Sequence, residues 1–277
     1  MKVDTHQHFW RYNENDYPWM SAEIGALRRD FVPSDLQPLL QESAIDATVA
    51  VQARQSLRET EWLLELSRKH DFIKGVIGWV DLRSPHVAAQ LERFAPHEKL
   101  RGVRHVIHDE PDDEFMLRRD FLTGISLLAD FHLTYDLLLF PRHLTFAGEL
   151  VRLYPAQSFV LDHIAKPSIR TREIQPWLAD LQKLAACPNV FCKVSGMVTE
   201  ANWNGWQAED FDIYMDAVFR AFGSQRIMIG SDWPVCTLAG SYTRIMDIPK
   251  NYVARLSVDE QNAVWCRNPK AFYGLAE

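Results

Sequence analysis

From residue 3 onward the chain alternates short apolar runs with longer stretches whose apolar residues recur at helical spacing. Eight runs stand out, at residues 3–9, 47–53, 73–81, 100–107, 133–139, 158–164, 190–196 and 226–234. Most are apolar on both alternating positions and end at polar, Gly or Pro residues, which is the pattern of parallel strands buried on both faces. Between them, residues 34–43, 57–70, 87–94, 118–130, 144–154, 172–186 and 210–222 carry helical periodicity, and 242–273 supplies more. Ser34, after Pro33, is a candidate N-cap, and Leu57, Trp62, Leu63 and Leu66 share one stripe. Repeated strand–helix alternation predicts parallel strands joined by helical crossovers. The chain has 277 residues, which suits a single α/β domain over residues 1–277 and a (β/α)8 TIM barrel of about 250 residues plus insertions. An open doubly wound sheet is the alternative, although no GxGxxG follows an early strand.

Composition narrows the partners. A net charge of −7 without a local basic stripe argues against nucleic acid. No apolar run reaches bilayer length, and a strand starts almost at once, so neither a membrane span nor a leader is expected. The four cysteines form no CxxC pair and read as reduced thiols of a cytoplasmic protein. Nine Trp and fifteen Phe exceed what a core alone calls for, and some can face a ligand.

In a barrel of this kind the site is built at the C-terminal strand ends. Polar residues collect there in otherwise apolar runs. The first run ends in His6, Gln7 and His8, the second in Gln52 and Arg54, the third in Trp79 and Asp81. The fourth carries Arg104, His105 and His108, the fifth Asp136, and the sixth Asp162, His163 and Lys166. The seventh has Lys193 and Ser195, the eighth Ser231, Asp232 and Trp233. Strands stop where water starts, which accounts for any one of these. Ionisable groups in such number are costly in a barrel mouth unless paired or coordinated. On an extended strand His6 and His8 project to the same side, so they can converge on one point. By contrast, Asp112, Asp113 and Glu114 read as a solvated loop, and His70, His86, His97, His132 and His143 as surface or capping residues.

The blocks DTHQHFWRY, DYPWM, AVQAR, GVRH, LDHIAKP, CKVSG and GSDWPV, in this order between residues 3 and 235, resemble the amidohydrolase superfamily. The likeness is to its amidohydrolase-2 type and the sugar-lactonase branch, nearest the L-fuconolactonase-like group. The resemblance implies a somewhat distorted barrel and hydrolysis at a carbonyl centre by an activated water. It assigns His6, His8, His163 and Asp232 as catalytic. Metal-dependent relatives usually add a histidine after strand five, and LTYDLLL has none. One divalent metal, zinc by ligand type, would use those same four residues and is not required by them.

A lactone is an activated ester, so its opening needs a base for water and a donor for the oxyanion. Asp232 is the expected base. His6, His8 and His163 are expected to polarise the carbonyl, directly or through zinc. Arg54, Arg104 and His105 are expected to bind substrate, each arginine equally suited to a salt bridge across the mouth. Trp10 and Trp233 are expected to stack on a sugar ring, with Tyr12, Tyr17 and Trp19 as the rest of a wall or a satellite cluster. The expected partner is a small sugar lactone such as L-fucono-lactone, in an enzyme of carbohydrate metabolism. A metal-dependent decarboxylase or amide hydrolase, a non-catalytic sugar-acid binder, and a homodimer all remain open.

Overall fold

The computed structural model describes residues 1–276. Eight strands lie in sequence order in one parallel sheet: β1 (Val3–Gln7), β2 (Ala47–Val51), β3 (Ile73–Gly78), β4 (Leu100–His105), β5 (Thr134–Leu137), β6 (Phe159–Leu161), β7 (Val190–Val194) and β8 (Ile227–Ile229). Each falls inside one of the eight apolar runs. Sequential order in a parallel sheet requires a crossover after every strand, and the helices supply them.

The crossovers use α1 (Pro33–Glu42), α2 (Leu57–Lys69), α3 (Val87–Phe94), α4 (Arg119–Leu128), α5 (Leu144–Leu153), α6 (Trp177–Ala185) and α7 (Asp212–Phe222). The tail is α8 (Tyr242–Val253), α9 (Val258–Asn262) and α10 (Asn268–Tyr273). Two starts differ from the sequence reading. Ser34 is not the cap of α1; the helix opens at Pro33, and Asp35 accepts the Val32 N–H at 2.9 Å. Residues 172–176 are not helical, because Arg172 is left-handed at φ 58° and the residue before Pro176 is disfavoured in a helix.

The two ends of the barrel differ. The lower interior is apolar, filled by Val3, Val49, Ile77, Val160 and Met228, and Tyr273 and Leu275 of the tail pack against it as a plug. The closure is made at the upper end. β8 is too short to form a ladder with β1, so the seam rests on the residues just beyond it. There the Asp232 N–H donates to the His6 carbonyl at 2.8 Å and the His8 N–H to the Trp233 carbonyl at 2.6 Å. Gly230 permits this approach, since a Cβ there would stand 2.5 Å from the His6 Cβ. This seam is the distortion of the barrel, and it brings Asp232 and the histidine pair together.

Candidate active site

β1 carries a bulge. Between Asp4 and Gln7 it spends three residues against two on β2, pairing Asp4 with Thr48 and Gln7 with Ala50. Plain alternation would put Asp4 on the same side as His6; the extra residue breaks the parity. Asp4 therefore turns to the helix layer, accepting the Ser231 N–H at 2.9 Å and the Tyr242 hydroxyl at 3.0 Å. His6 and His8 turn inward.

His163 arrives by a costlier route. Beyond β6, His163, Ile164, Ala165 and Lys166 all adopt φ between 49° and 62°, a left-handed turn made without glycine. Such residues cost roughly 1–3 kcal/mol each and persist only where packing holds them. Here His163, Ile164 and Ala165 are buried, and the Trp177 indole N–H donates to the Ile164 carbonyl at 2.7 Å. The turn sets the His163 ring 4.4 Å from that of His6, centroid to centroid. Gly196, at φ 59°, leaves room for it, because a Cβ there would meet His163 Nδ1 at 2.5 Å.

Three imidazoles converge on one carboxylate oxygen. Asp232 Oδ1 lies 3.3 Å from His8 Nε2, 3.8 Å from His163 Nε2 and 3.9 Å from His6 Nε2. Asp232 itself is left-handed at φ 58°, a region carboxylate and amide side chains tolerate best. Burial pushes its carboxyl up, but His163, the His8 contact and Lys166 outweigh burial and hold it below the usual carboxylate range. It is the ionised carboxylate of the mouth.

Beneath it runs a second charged layer. Lys193 donates to Asp136 at 2.5 Å and lies 3.1 Å from Asp162 Oδ1. Arg104 Nη1 donates to Asp162 Oδ2 at 3.0 Å, and Nη2 to the Gln52 carbonyl at 2.5 Å. The Tyr273 hydroxyl reaches Asp136 from below at 3.2 Å. Burial would raise the Asp162 carboxyl, yet Lys193, His6 and Arg104 hold it well below the usual range. Asp136 stays pushed up to about 6 by burial, which Lys193 only partly offsets.

The hydrogen bonds fix the imidazoles. His8 Nδ1 faces the Val51 carbonyl at 2.8 Å, which can only accept, so Nδ1 carries the hydrogen and Nε2 faces Asp232. His6 has Arg104 3.2 Å from Nε2, and Asp162 and Lys193 each 3.3 Å from Nδ1. Arginine cannot accept, so His6 holds its hydrogen on Nδ1 toward Asp162 and accepts at Nε2. His163 Nδ1 meets the Ser195 hydroxyl at 2.9 Å, which can donate or accept, so Nε2 of this ring can be a donor. Burial lowers both His6 and His163 well below the ordinary histidine value, leaving them neutral.

These donors also suit a divalent cation. His6, His8 and Asp232 each offer an atom within 4.8 Å of the others, and His6, Asp162 and His163 do likewise. Imidazole nitrogen with carboxylate oxygen is zinc's ligand chemistry, and nitrogen lone pairs facing a carboxylate call for a proton or a cation between them.

A model of the Amidohydrolase family matches residues 3–275. The chain belongs to this family. This amidohydrolase is 41% identical over its whole length to an L-fucono-1,5-lactonase of Burkholderia multivorans, covering 97% of that protein. It is 37% identical to an L-fucono-1,5-lactonase of Burkholderia ambifaria, over 87% of this chain and 83% of that one. A crystal structure of an amidohydrolase from Burkholderia multivorans with bound zinc superposes with a TM-score of 0.95 at 41% identity, covering 100% of both chains.

The sequence-derived residues of this amidohydrolase fall into four places. His6, His8, His163, Asp232 and Arg104 meet in the mouth, where a cavity of about 330 Å3 is lined by His8, Arg104, His163, Asp232, Trp10, Trp19, Leu138 and Lys166, with His108 and Asp109 at its edge. Arg54 lies in an outer groove, paired with Asp16 and over the Tyr17 ring. His105 holds the loop after β4, bonded to Glu110 at 2.6 Å and stacked on Phe115. Trp233 packs edge-on against Phe9 and Phe31, under the seam. Trp10 lines the cavity while donating to the Arg29 carbonyl at 2.8 Å, and Trp19 stands at the rim, 38% exposed. Asp162, Asp136 and Lys193 had no assigned role from sequence. Their signal was a charge at the end of a buried strand, which marks burial but not which partner it meets.

Proposed function

We propose that this amidohydrolase opens the ring of a sugar-acid lactone, L-fucono-lactone or a related aldonolactone, using a water deprotonated by Asp232. It is a carboxylic-ester hydrolase, a lactonase. The observation that carries the residue roles is charge balance. Lys193 and Arg104 offset Asp136 and Asp162, while Asp232 faces imidazoles and the nearby Lys166 is taken by Glu200 at 2.8 Å. An ionised carboxylate left over at the bottom of a cavity is a base.

The attacking water donates a hydrogen to Asp232, beside which His8 Nε2 stands 3.3 Å away to position it. Its oxygen then faces a carbonyl lying against Arg104 and His163. As the water adds, Asp232 takes its proton, and the developing oxyanion is held by the Arg104 Nε–H, which has no other partner, and the His163 Nε2–H. The tetrahedral centre collapses, the ring C–O bond breaks, and Asp232 returns the proton to the leaving oxygen. His6, accepting from Arg104, orients that guanidinium. A divalent cation held by His8 and Asp232, and by His6 where Arg104 yields it, would supply carbonyl polarisation and a more acidic water.

Cavity size supports a single ring, because about 330 Å3 is at the small end of the roughly 300–1,000 Å3 range of ligand pockets. Trp19, 38% exposed at the rim, offers a surface to the C–H side of a sugar ring, whereas Trp10, expected to stack there, is fully buried beneath it. A panel of aldonolactones read with a pH indicator tests the assignment. Acid release from L-fucono-lactone or a close stereoisomer is expected. Absence of acid release across the panel, or carbon dioxide release from an aromatic acid instead, would overturn it.

A further inference from the structure

The histidine shared by both candidate metal triads already has a cation at each ring nitrogen. Lys193 stands 3.3 Å from His6 Nδ1 and Arg104 Nη1 stands 3.2 Å from Nε2. A metal entering either triad must displace one of them. Lysine can yield a proton, but a guanidinium stays charged in proteins and has to leave bodily.

Arg104 is held against leaving. Its Nη1 donates to Asp162 and its Nη2 to both the carbonyl and the side-chain oxygen of Gln52, the latter at 3.2 Å. The side chain is 4% exposed, so a displaced guanidinium would leave Asp162 and the Gln52 carbonyl without their donor in a dry interior. Charge points the same way. Of the three carboxylates nearest these histidines, Lys193 and Arg104 already offset two, which leaves only the single charge of Asp232 to an incoming ion.

We propose that Arg104 is the resident cation of this site: it occupies the ligand position on His6 Nε2, so that Arg104 and a divalent metal compete for His6. A metal binding the native chain is then left with Asp232 and the imidazoles that face it without a guanidinium, His8 at 3.3 Å and His163 at 3.8 Å. Without the His6 nitrogen, a bound zinc has one protein ligand fewer of its usual four positions. The inference rests on the lactonase reading only for the role Arg104 plays once seated. Metal affinity is measured with no lactone present, so either reading can fail alone.

The experiment is zinc binding by competition with a chromophoric chelator, with zinc alone as the probe, on the native chain, Arg104→Met, His6→Asn and the double variant, each checked for folding by thermal unfolding. Arg104→Met is expected to bind zinc about tenfold tighter or more, the scale on which neighbours of a metal's ligands act. Adding His6→Asn to it should return affinity to the native level, while His6→Asn alone should leave native affinity unchanged. A gain below about tenfold in Arg104→Met overturns the proposal. If Arg104→Met does not fold, His6→Asn in the native background still decides, because a clear loss of zinc affinity there would mean that His6 is a ligand with Arg104 present.

Discussion

The barrel axis carries two buried ionic layers that differ in one respect. In the lower, around Lys193, every charge meets its opposite: Asp136 and Asp162 face Lys193 and Arg104, and Tyr273 caps Asp136 from below. In the upper, around Asp232, a carboxylate meets three imidazoles instead. Both layers are buried, at 5% exposure or less, so burial alone does not separate structure from chemistry here. Compensation does: one layer is balanced, and the other leaves a carboxylate among imidazoles, where we propose the base.

The sharpest way to break this contrast is one substitution in each layer. Asp232→Asn keeps size and removes the base, so kcat is expected to fall by about 10²–10⁴-fold with the unfolding temperature nearly unchanged. Steady-state kinetics beside thermal unfolding reads both, and near-native turnover would remove Asp232 from the mechanism. Lys193→Met should do the reverse in stability, costing about 3–5 kcal/mol by leaving buried carboxylates unpaired. Denaturant unfolding measures this, and a loss below about 1 kcal/mol would show the lower layer to be less than a balanced pair.

Smaller effects refine it. Tyr273→Phe removes one donor from Asp136 and should cost about 2 kcal/mol, as hydrogen bonds to charged groups do, with kcat changed less than stability. Glu59 offers a third case, a buried carboxylate met mainly by neutral donors, the N–H groups of Ala53 and Arg54 and the Tyr17 hydroxyl. Burial raises its carboxyl from 4.5 to about 7. Its folded value thus lies above the unfolded one, so the folded state holds the proton more tightly. That contribution is complete below pH 4.5 and is lost as pH rises through about 7. Glu59→Gln is expected to flatten the fall of unfolding temperature across that window; an unchanged pH profile would count against a raised Glu59.

Much of the architecture was legible in the chain because parallel strands buried on both faces are apolar throughout, a signal that no neighbour has to complete. The C-terminal ends of those strands located the mouth, and His6, His8, His163 and Asp232 do converge there. Arg104 was also read correctly as a mouth residue. Arg54 and His105 sit at equally polar strand ends, yet one pairs with Asp16 on the first loop and the other with Glu110. Their partners are distant or incidental in sequence, and nothing local distinguishes them from Arg104. Trp233 similarly belongs to the seam, where Phe9 and Phe31 cover it.

By itself, then, the sequence determined the eight-fold alternation, the end of the barrel that bears the chemistry, and the residue types available to it, because these follow from local periodicity and solubility. Only the tertiary structure decided which charges cancel. The bulge in β1 turns Asp4 away from the histidines, the closing seam brings Asp232 to His6, and the left-handed turn after β6 aims His163. Each depends on backbone from another part of the chain, and a carboxylate's role depends on the cation that reaches it.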